Sequence, residues 1–581
     1  MNLQVAVTVA TEHLEWATRQ MYDGECRMLR RIIEPSDIVR TSMPTDPVDF
    51  DYIVIGSGFG GSVSALRLAE KGYSVAVVER GKRWGNEDFP KTNWNVPKYL
   101  WMPKLLCFGI QALTLLRDTM ILHGCGVGGG SLVYANTLLV PPDEVFNDSR
   151  WRSLADWKAD LAQHYETAKQ MMGVTTARCQ AETDHLLREV AQDMGREETY
   201  HPTEVAVFFG DPGKTVPDPY FGGTGPDRAG CTLCGGCMVG CRHNAKNTLD
   251  KNYLFFAEQR GVQIIPETEV RNIRESSGGG YEIDTVCITD LLFKRRQTIR
   301  CRGIVAAAGV LGTVPLLMKC KARGSLPRIS NQLGRFVRTN SEALVGSTSR
   351  RPDVDFSKGI AIASGFRPDD KTEIEICRYA SGQDFMSLLC TVLVPGGPPW
   401  PRWIRFVAEV MRHPLAFLRL LNPIGWARRS GILLVMQSLP NHMSLKLRRR
   451  WYWPFGKKVT SLWDSPEKIP KFIPVANEAA ERLARKMDGD ASASIPEVVF
   501  NLSTTAHILG GCPMGRDEND GVIDKHGRLF GYENFYVADG SVIPVNLSVN
   551  PSLTILALSE WIMSHVPRKQ LSSPATNQVD D

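Results

Sequence analysis

The sequence predicts an α/β fold, with a Rossmann-like dinucleotide-binding domain that is interrupted by an inserted α+β domain. From Phe50 the chain reads buried strand, glycine-rich turn, apolar-faced helix and second buried strand, which is the order of a βαβ nucleotide-binding unit. A further sheet-like segment returns near residue 540, and the stretch from about 320 to 495 is rich in Trp, Phe and Arg. A chain of 581 residues is also too long for one hydrophobic core.

These observations divide the chain into five predicted parts. The run MPTDPV ahead of the first strand is typical of a linker. The dinucleotide-binding domain is assembled from two pieces, because its strands flank the insert. In order, the parts are an N-terminal extension (1–47), the first part of the dinucleotide-binding domain (48–320, with a cysteine loop at 231–241), a substrate-binding domain (321–495), the C-terminal part of the dinucleotide-binding domain (496–567) and a flexible tail (568–581).

The turn after the first strand carries the spacing Gly56-x-Gly58-x-x-Gly61 between a strand and a helix. Gly56 permits a tight turn, Gly58 lets the backbone approach a pyrophosphate, and Gly61 lets the helix pack closely on the strand. Glu79 ends the second strand, where a carboxylate accepts hydrogen bonds from ribose hydroxyls. A glycine motif alone is weak evidence for dinucleotide binding. Together with the two strands, the helix and the acid, the motif predicts it.

A second glycine-rich stretch, GCGVGGGSLVYAN, covers residues 124–136. A backbone without side chains can lie flat against a ring system. A surface linker is the alternative, but the apolar LVYA that follows the glycines indicates burial. The stretch is therefore a candidate for contact with the rings of a cofactor.

Four cysteines, Cys231, Cys234, Cys237 and Cys241, are bunched in the run CTLCGGCMVGC. The spacing C-x2-C-x2-C-x3-C is that of a bacterial ferredoxin cluster loop. Against a cluster, Arg242 stands where ferredoxins have proline, and there is no second set of four cysteines. An iron–sulfur cluster or its degenerate remnant, a zinc site and buried free thiols therefore all stay open.

Composition and charge exclude several classes of protein. The chain is 43% hydrophobic and 23% charged with a net charge of +5, which argues against bulk disorder and gives no support to a nucleic-acid partner. The cysteines outside the bunched run are scattered without a pairing pattern, as is typical of a reducing compartment. The N-terminus lacks the features of a signal peptide, and no uncharged apolar run of about 18 residues occurs. We expect a cytoplasmic protein.

Two stretches of the predicted insert combine aromatic, apolar and basic residues: GGPPWPRWIRFVAEVMRHPLAFLRLL and KLRRRWYWPFGKK. Such interleaving suits a peripheral contact with a membrane surface. The alternative is a solvated helix face whose aromatic residues pack in the core. The same pattern would suit a nucleic-acid partner. The enzyme-like motifs elsewhere in the chain argue against that partner.

Four segments occur in the order that is found in the glucose–methanol–choline (GMC) oxidoreductases. They are Gly56–Gly61, the GVGGGSLVYAN loop, AHILGGCPMG (506–515) and VADGSVIPVNLSVNPSLTILALSE (537–560). The sequence resembles this family over roughly residues 48–565, including KTVPDPYFGG and KNTLDKNYL in the middle. Within the family it is most similar to the branch of bacterial, mycobacterial-type cholesterol oxidases.

The resemblance implies a GMC-type FAD-binding domain with FAD as cofactor, and the oxidation of an alcohol CH–OH group to a carbonyl. Asp539 would face the ribityl chain of the flavin, since a carboxylate at the end of a sheet strand suits that position. The resemblance assigns cofactor contacts to Gly56, Gly58, Phe59, Gly60, Gly61, Glu79, Gly128, Gly129, Ser131, Asn136, Val270, Asp539 and Gly540.

The resemblance also assigns the catalytic roles to one histidine and one asparagine. His507 occupies the histidine of the family's HxLGGC motif, and Asn550 lies in the Val-Asn-Pro sequence near the C-terminus. Alcohol oxidation needs a group that takes the hydroxyl proton, and histidine suits this near neutral pH. Taken alone, the two residues would be interpreted as a structural histidine and an Asn-Pro turn.

Family members that also isomerise a steroid double bond use an additional glutamate as base. No glutamate of this sequence matches securely. Glu375 in EIEICRY and Asp384 in SGQDF are the candidates, and we expect each to be an ordinary surface or loop acid. Steroid isomerisation therefore stays open.

The favoured function is FAD-dependent oxidation of a 3β-hydroxysteroid to the ketone by hydride transfer to flavin N5, with oxygen as acceptor. The first alternative is a GMC dehydrogenase for another bulky alcohol, which passes electrons through an iron–sulfur cluster on the four cysteines. The second alternative is a non-catalytic redox flavoprotein.

Overall fold

A computed structural model describes residues 48–290, 293–397, 400–450 and 453–570. The predicted N-terminal extension, 1–47, and the last eleven residues of the predicted tail, 571–581, lie outside the described residues.

The first of two large sheets has seven strands and contains the predicted Rossmann-like unit. Its central strands pair in parallel, and the two strands at one side are antiparallel. Across the sheet the strands are Gln263–Ile265, Val75–Val78, Phe50–Ile55, Arg296–Ala306, Tyr281–Cys287 and Thr268–Glu275, with Phe535–Val537 also pairing with Arg296–Ala306.

The apolar sequence of the central strands explains their position. Residues 51–55 and 75–78 are buried throughout, as expected for parallel strands covered on both faces. The helix Phe59–Glu70 follows the first strand and buries Val63 and Leu66. Burying one such side chain contributes about 1.5–3 kcal/mol. Helices Tyr253–Gln259 and Ser552–Ser564 pack on the same helix, and the predicted α/β fold is confirmed.

The strand Arg296–Ala306 ends inside an apolar run. In GIVAAAGVLGT (303–313) the strand stops at Ala306 although apolar residues continue. A helix, Val310–Arg323, begins after Gly309. The change of direction uses the positive φ of +70° at Gly309, which glycine adopts without steric cost.

The second large sheet also has seven strands and is antiparallel throughout. Helices Pro474–Lys486 and Glu182–Asp193 contribute to its separate apolar core. Both sheets belong to one unit that begins at Val48. Across this sheet the strands are Cys390–Val392, Gly489–Ser494, Ala343–Ser349, Ser430–Gln437, Thr372–Cys377, Ile362–Asp369 and His201–Pro202.

The remaining strands form small sheets. One has three strands: Gln111–Leu115, Thr119–Gly124 and Ser503–Thr505. The two-stranded sheets pair Trp101–Met102 with Cys107–Phe108, Thr175–Thr176 with Glu204–Val205, Thr215–Val216 with Arg228–Ala229, and Met443–Arg450 with Trp453–Trp463.

The other α-helices are mostly short, and in the part of the chain that the structure describes none has the length and hydropathy to cross a bilayer. They are Val96–Tyr99, Asp143–Phe146, Ser149–Arg152, Trp157–Met172, Arg402–Arg412, Pro414–Leu421, Trp426–Arg429 and Ile495–Val498.

Candidate active site

A cavity of about 580 Å³ lies between the two large sheets. Residues that follow the carboxyl ends of parallel strands in the first sheet line one end, among them Gly56, Glu79 and Ala307. Side chains of the second sheet, such as Val345 and Ile362, line the other end. Ligands of open α/β sheets bind outside the carboxyl ends of the strands, so this large cavity is the candidate active site.

The first glycine turn brings the start of a helix to the large cavity. Gly56 has a φ of +98°, and a Cβ there would lie 2.5 Å from the Ala307 carbonyl oxygen. A Cβ on Gly61 would lie 2.0 Å from the Gly56 oxygen, so the helix packs closely on the strand. Gly58 differs, because the nearest atom to a Cβ there is 4.0 Å away. Its missing side chain leaves open the space before the N-terminus of Phe59–Glu70.

The second glycine-rich stretch lies directly against the first turn. A Cβ on Gly129 would lie 2.6 Å from the Cα of Gly58. Ser57 joins the two stretches, since its Oγ donates to Glu79 Oε2 at 2.8 Å and accepts from the Gly128 N–H at 3.1 Å. Both glycine-rich segments therefore form one wall.

Two acidic side chains complete this end of the large cavity. Glu79 Oε1 also accepts from the Gly81 N–H at 2.9 Å. Asp539 Oδ2 accepts from the Gly309 N–H at 2.9 Å and from the Thr313 hydroxyl at 2.6 Å, so it ties together the turns after two parallel strands. Burial raises the pKa of Asp539.

His507 is positioned by a buried glutamate. Its Nδ1 bonds to Glu342 Oε1, and the neighbouring Ala506 N–H donates to Glu342 Oε2 at 2.7 Å. Its own N–H donates to Thr505 Oγ1 at 2.9 Å. Because a carboxylate only accepts, we assign the imidazole proton to Nδ1. That assignment leaves Nε2 as the ring nitrogen for a ligand in the large cavity, which His507 lines.

Asn550 is positioned in the same manner by a second buried glutamate. Its Nδ2 donates to Glu375 Oε2 at 3.2 Å. Its Oδ1 is buried and has no hydrogen-bond partner among the residues that the structure describes. Asn340 holds the preceding chain by accepting from the Ser548 N–H at 2.9 Å and donating to the Val549 carbonyl at 3.0 Å. Asn550 also lines the large cavity, so the structure brings both predicted catalytic residues to one space.

The two supporting glutamates were not predicted. Glu342 was missed, and the expectation that Glu375 is a surface or loop acid is wrong, since its exposed fraction is 0%. Burial raises the pKa of Glu375 well above its usual range, and Glu373 adds to this. Asp384 is buried as well, but it accepts from the Ala427 N–H at 2.7 Å and holds the helix Trp426–Arg429.

The other side of the large cavity is apolar. Its side chains come from the second sheet, from the three-stranded sheet, from the turn at 384–389, from the helix Trp426–Arg429 and from segments beside them. They include Met120, Leu122, Val133, Met238, Leu344, Val345, Ile362, Tyr379, Met386, Leu389, Trp426, Ile432 and Leu434.

Most of the predicted cofactor residues line the large cavity: Gly56, Gly58, Phe59, Gly60, Glu79, Gly129, Val270, Asp539 and Gly540. The others, Gly61, Gly128, Ser131 and Asn136, stand behind the lining. Ser131 Oγ, for example, donates to the Gly128 carbonyl at 2.7 Å and accepts from the Leu249 N–H at 3.1 Å. Asn136 is fully buried and lies beside the Cys237 thiol.

A smaller cavity of about 140 Å³ is lined by all four bunched cysteines. We call it the cysteine cavity. Cys237 is buried, Cys231 and Cys241 are half-buried, and Cys234 is exposed. Within the described ranges, no three His, Cys, Asp or Glu side chains are arranged to hold a metal ion. The structure therefore gathers the four cysteines around one space.

A buried lysine, which sequence reasoning also missed, joins the two cavities. Lys246 Nζ donates to the carbonyls of Leu132, Tyr134 and Cys237 at 3.0, 2.9 and 2.8 Å. Burial lowers the pKa of Lys246 to about 7. Lys246 and Cys237 line the cysteine cavity, while Tyr134 and Met238 line the large cavity. The two cavities therefore share a wall.

Two family models match the chain. One, described as GMC oxidoreductase, matches residues 455–559. The other, described as FAD dependent oxidoreductase, matches residues 51–372. The two ranges contain both glycine-rich segments, His507 and Asn550.

The chain is also similar to individual proteins over most of its length. A cholesterol oxidase of Acinetobacter baumannii is 46% identical over 536 residues, covering 91% of this chain and 96% of the relative. A cholesterol oxidase of Mycobacterium tuberculosis (strain CDC 1551 / Oshkosh) is 46% identical over 537 residues, covering 90% and 92%. The crystal structure of pyridoxine 4-oxidase from Mesorbium loti matches with a TM-score of 0.54 at 15% identity, covering 88% and 98%, which supports the fold alone.

Proposed function

The chain belongs to the GMC oxidoreductases, FAD-dependent enzymes that act on CH–OH donors, and on this premise we propose that it oxidises the 3β-hydroxyl of a cholesterol-like sterol to the ketone. One observation carries the proposal: His507 and Asn550 line the same cavity as the glycine turn and a large apolar surface. The names of the relatives that are 46% identical support the sterol. Family membership favours an enzyme over a non-catalytic flavoprotein.

The residues at the strand ends fit FAD. Gly58 leaves space for a pyrophosphate before a helix N-terminus, whose free N–H groups favour negative charge. Glu79 offers a carboxylate to ribose hydroxyls, and Gly129 and Asp539 line the continuation of the large cavity. When bound there, FAD supplies the acceptor for the hydride that leaves the carbinol carbon.

His507 and Asn550 would hold the substrate hydroxyl. With Nδ1 engaged by Glu342, Nε2 of His507 can take the hydroxyl proton as the carbonyl forms. The Glu342 carboxylate stabilises the resulting imidazolium and orients the ring. Asn550, held by Glu375, adds a second hydrogen-bonding group for the hydroxyl oxygen. In this proposal His507 and Asn550 act from the positions in which the two glutamates hold them, and neither side chain has to move.

The apolar side of the large cavity suits the body of a sterol. A rigid hydrocarbon skeleton gains about 25 cal/mol for each Å² that it removes from water. Residues such as Leu344, Met386 and Trp426 provide that environment, and pockets of this kind need few polar groups to orient a ligand. The proposed substrate places the protein in steroid and lipid metabolism.

We propose oxygen as the acceptor: the alcohol and O2 give the ketone and hydrogen peroxide. Titration of the holoenzyme with cholesterol without air should bleach the flavin absorbance, and readmission of air should restore it with one peroxide per ketone. If cholesterol leaves the flavin oxidised while another bulky alcohol reduces it, the sterol assignment is wrong.

Glu375 is the candidate base for isomerisation of the steroid double bond. Among the described residues its buried Oε1 has no hydrogen-bond partner, and Oε2 accepts from Asn550. Glu375 stands directly behind Asn550, which lines the large cavity, and as a base it would move a proton on the ring next to the hydroxyl. The product distinguishes the cases, because isomerisation yields a conjugated ketone that absorbs near-ultraviolet light.

A surface beside the large cavity suits contact with a lipid bilayer. On helices Arg402–Arg412 and Pro414–Leu421 and the segments next to them, large apolar side chains are exposed: Trp400, Trp403, Val407, Met411, Leu415, Leu418 and Ile424. Of the arginines in this segment, Arg402 is buried and Arg419 pairs with Asp490 at 2.6 Å, so the contact would rest mainly on the apolar side chains. The second helix contacts the turn at 384–389, whose Met386 and Leu389 line the large cavity.

Vesicle sedimentation tests this surface. The full chain should pellet with vesicles of phosphatidylcholine and phosphatidylglycerol, and the double variant Trp403→Ser, Met411→Ser should stay in the supernatant. Leu115→Ser, an exposed apolar residue on a different element, is the matched control. If the double variant pellets as well as the wild type, the proposed membrane contact of this surface is wrong.

A second candidate function is a dehydrogenase that uses a one-electron carrier. The shared wall between the large cavity and the cysteine cavity favours it. The alcohol would then give the ketone, two protons would go to solvent, and the two electrons would reach two carrier molecules in turn. Flavin that is bleached by the alcohol, stays reduced in air and is reoxidised by an added one-electron acceptor would select this candidate.

A further inference from the structure

The cysteine cavity has no task in the alcohol oxidation described above, yet its four cysteines come from one short run. All four line the same space, including Cys241, whose counterpart in two-cluster ferredoxins binds a different cluster. We infer that the cysteine cavity binds a [4Fe–4S] cluster with Cys231, Cys234, Cys237 and Cys241 as its ligands. This goes beyond the proposed function and does not depend on the identity of the alcohol.

The size of the space is the first argument. The cysteine cavity measures about 140 Å³, whereas one water needs roughly 10–15 Å³ by the same measure. There is thus room for several heavy atoms. A single metal ion would leave most of that volume empty.

The arrangement of the sulfur atoms is the second argument. Four thiolates around one zinc must converge, since each Zn–S bond is about 2.3 Å. No such convergence occurs among the described residues. In a [4Fe–4S] cluster each thiolate binds its own iron, so the ligands surround a volume without meeting at a point. The four cysteines line one cavity, so each of them could bind a different iron of such a cluster.

The backbone of the loop is built to surround an occupant. Gly235 N–H donates to the Gly359 carbonyl and Gly359 N–H donates to the Leu233 carbonyl, both at 2.8 Å, which fixes the loop on either side of its second cysteine, Cys234. A Cβ on Gly235 would lie 2.3 Å from the Ser357 oxygen, and one on Gly240 would lie 2.1 Å from the Phe89 ring. The loop geometry therefore depends on glycines between the cysteines.

Polar groups around the cysteine cavity complement an anionic occupant. Lys246 is buried, lines the cavity and ties the Cys237 carbonyl to the wall of the large cavity. Backbone N–H groups of His243, Ala245 and Lys246 interact with the Cys241 sulfur. Four thiolates give a cluster a net negative charge, and N–H···S contacts and nearby cations stabilise it.

Iron and acid-labile sulfide analysis of the full-length holoenzyme, purified without air, tests the inference. We expect about four iron and four sulfide per FAD, and an electron paramagnetic resonance signal of a reduced cluster after dithionite treatment. Zinc in place of iron would overturn the inference. A second result would also overturn it: the purified protein contains no metal, its four thiols react with a thiol reagent, and it takes up no iron during reconstitution with ferrous iron and sulfide.

Single substitutions assign the ligands. Cys231→Ser and Cys237→Ser should each lose at least half of the iron and change the resonance signal, while FAD content stays near one per chain. Cys287→Ser, a half-buried cysteine outside both cavities, should keep full iron. Full iron in both ligand variants would overturn the assignment. If either variant fails to fold, the iron, sulfide and resonance of the wild type still decide the occupant.

Anaerobic reduction of the flavin by cholesterol is measured on the same samples. Iron present without flavin reduction would refute the sterol function but keep the cluster. Flavin reduction without iron would keep the sterol function and refute the cluster.

Discussion

The substrate side of the large cavity and the cysteine cavity have buried ionisable groups of opposite kind beside them. Beside the proposed catalytic pair these groups are glutamates: Glu342 and Glu375 hold the pair, and Glu497 accepts from the Leu344 N–H at 3.2 Å. Beside the cysteine cavity they are lysines, and burial lowers the pKa of both Lys246 and Lys251. Buried ionisable groups persist where they have a partner to position or neutralise, so the contrast indicates two different ligands.

Removing the proposed base should have the largest effect and should be confined to the large cavity. His507→Ala is expected to lower the rate of anaerobic flavin reduction by cholesterol about 10²–10⁴-fold, because proton removal from the hydroxyl is lost. Stopped-flow absorbance measures this at equal FAD content. His185→Ala, on an exposed helix surface, should behave as wild type. A His507→Ala rate within twofold of wild type would mean that the base lies elsewhere.

Glu375→Gln should separate the two reactions proposed for the large cavity. Conjugated ketone is expected to fall at least about 10²-fold, while simple ketone forms at a rate within about tenfold of wild type. Because burial raises the pKa of Glu375, the carboxylate base forms only as pH rises, and wild-type isomerisation should increase with pH. Chromatography of the products at several pH values measures both. An unchanged product mixture would exclude Glu375.

The buried acids also make the stability of the chain depend on pH. Burial raises the pKa of Glu497 to about 8, so the folded chain holds a proton that the unfolded chain releases near pH 4.5. This stabilisation is complete below pH about 4.5 and is lost as pH rises to about 8. Between pH 5 and 8, the free energy of unfolding should therefore fall less for Glu497→Gln than for wild type. The difference should be on the order of a few kcal/mol. Urea denaturation at several pH values checks this, and parallel curves would contradict it.

Glu342→Gln should have a smaller effect, because it weakens the orientation of His507 without removing the ring. We expect kcat to fall about tenfold with little change in KM. The pH profile of kcat should change shape, whereas a general structural defect would lower kcat equally at every pH. Asp490→Asn on the second sheet, which pairs with Arg419 at 2.6 Å, is the control. A profile identical in shape to that of the wild type would show that Glu342 does not act through His507.

Changing the cysteine cavity should affect the alcohol reaction least. Cys237→Ser is expected to leave the anaerobic rate of flavin reduction by cholesterol within about twofold of wild type, since no group of the cysteine cavity contacts His507 or Asn550 in the described structure. The same stopped-flow measurement checks this. A large loss of rate at normal FAD content would show that the two cavities work as one site.

The sequence predicted best what is local. The turn Gly56–Gly61, its helix and the acid at Glu79 form one continuous unit, so their spacing encodes their geometry. His507 and Asn550 were assigned through ordered family motifs, and the structure places both at one cavity. The run of four cysteines predicted a shared space but not its occupant.

What the sequence could not predict depends on tertiary packing. Glu342 meets His507 from 165 positions away, and no spacing rule connects them. Glu375 alternates with isoleucine in TEIEIC, a pattern that normally places acids toward solvent. Here both faces of the strand are covered, and the acid is buried. Lys246 was missed for the same reason, since its three partners are backbone carbonyls that no side-chain pattern reveals.

The last strand of the first sheet has a consequence for how the protein is made. Phe535–Val537 pairs with Ile304–Ala306, and the segment that follows it carries Asp539 and Asn550. A ribosome must therefore synthesise nearly the whole chain before the sheet can close, and contacts between such distant segments form slowly. Until then, residues 304–306 in the centre of the sheet lack the strand that pairs with one of their edges. A chain that ends before residue 535 would lack both this strand and half of the proposed catalytic pair.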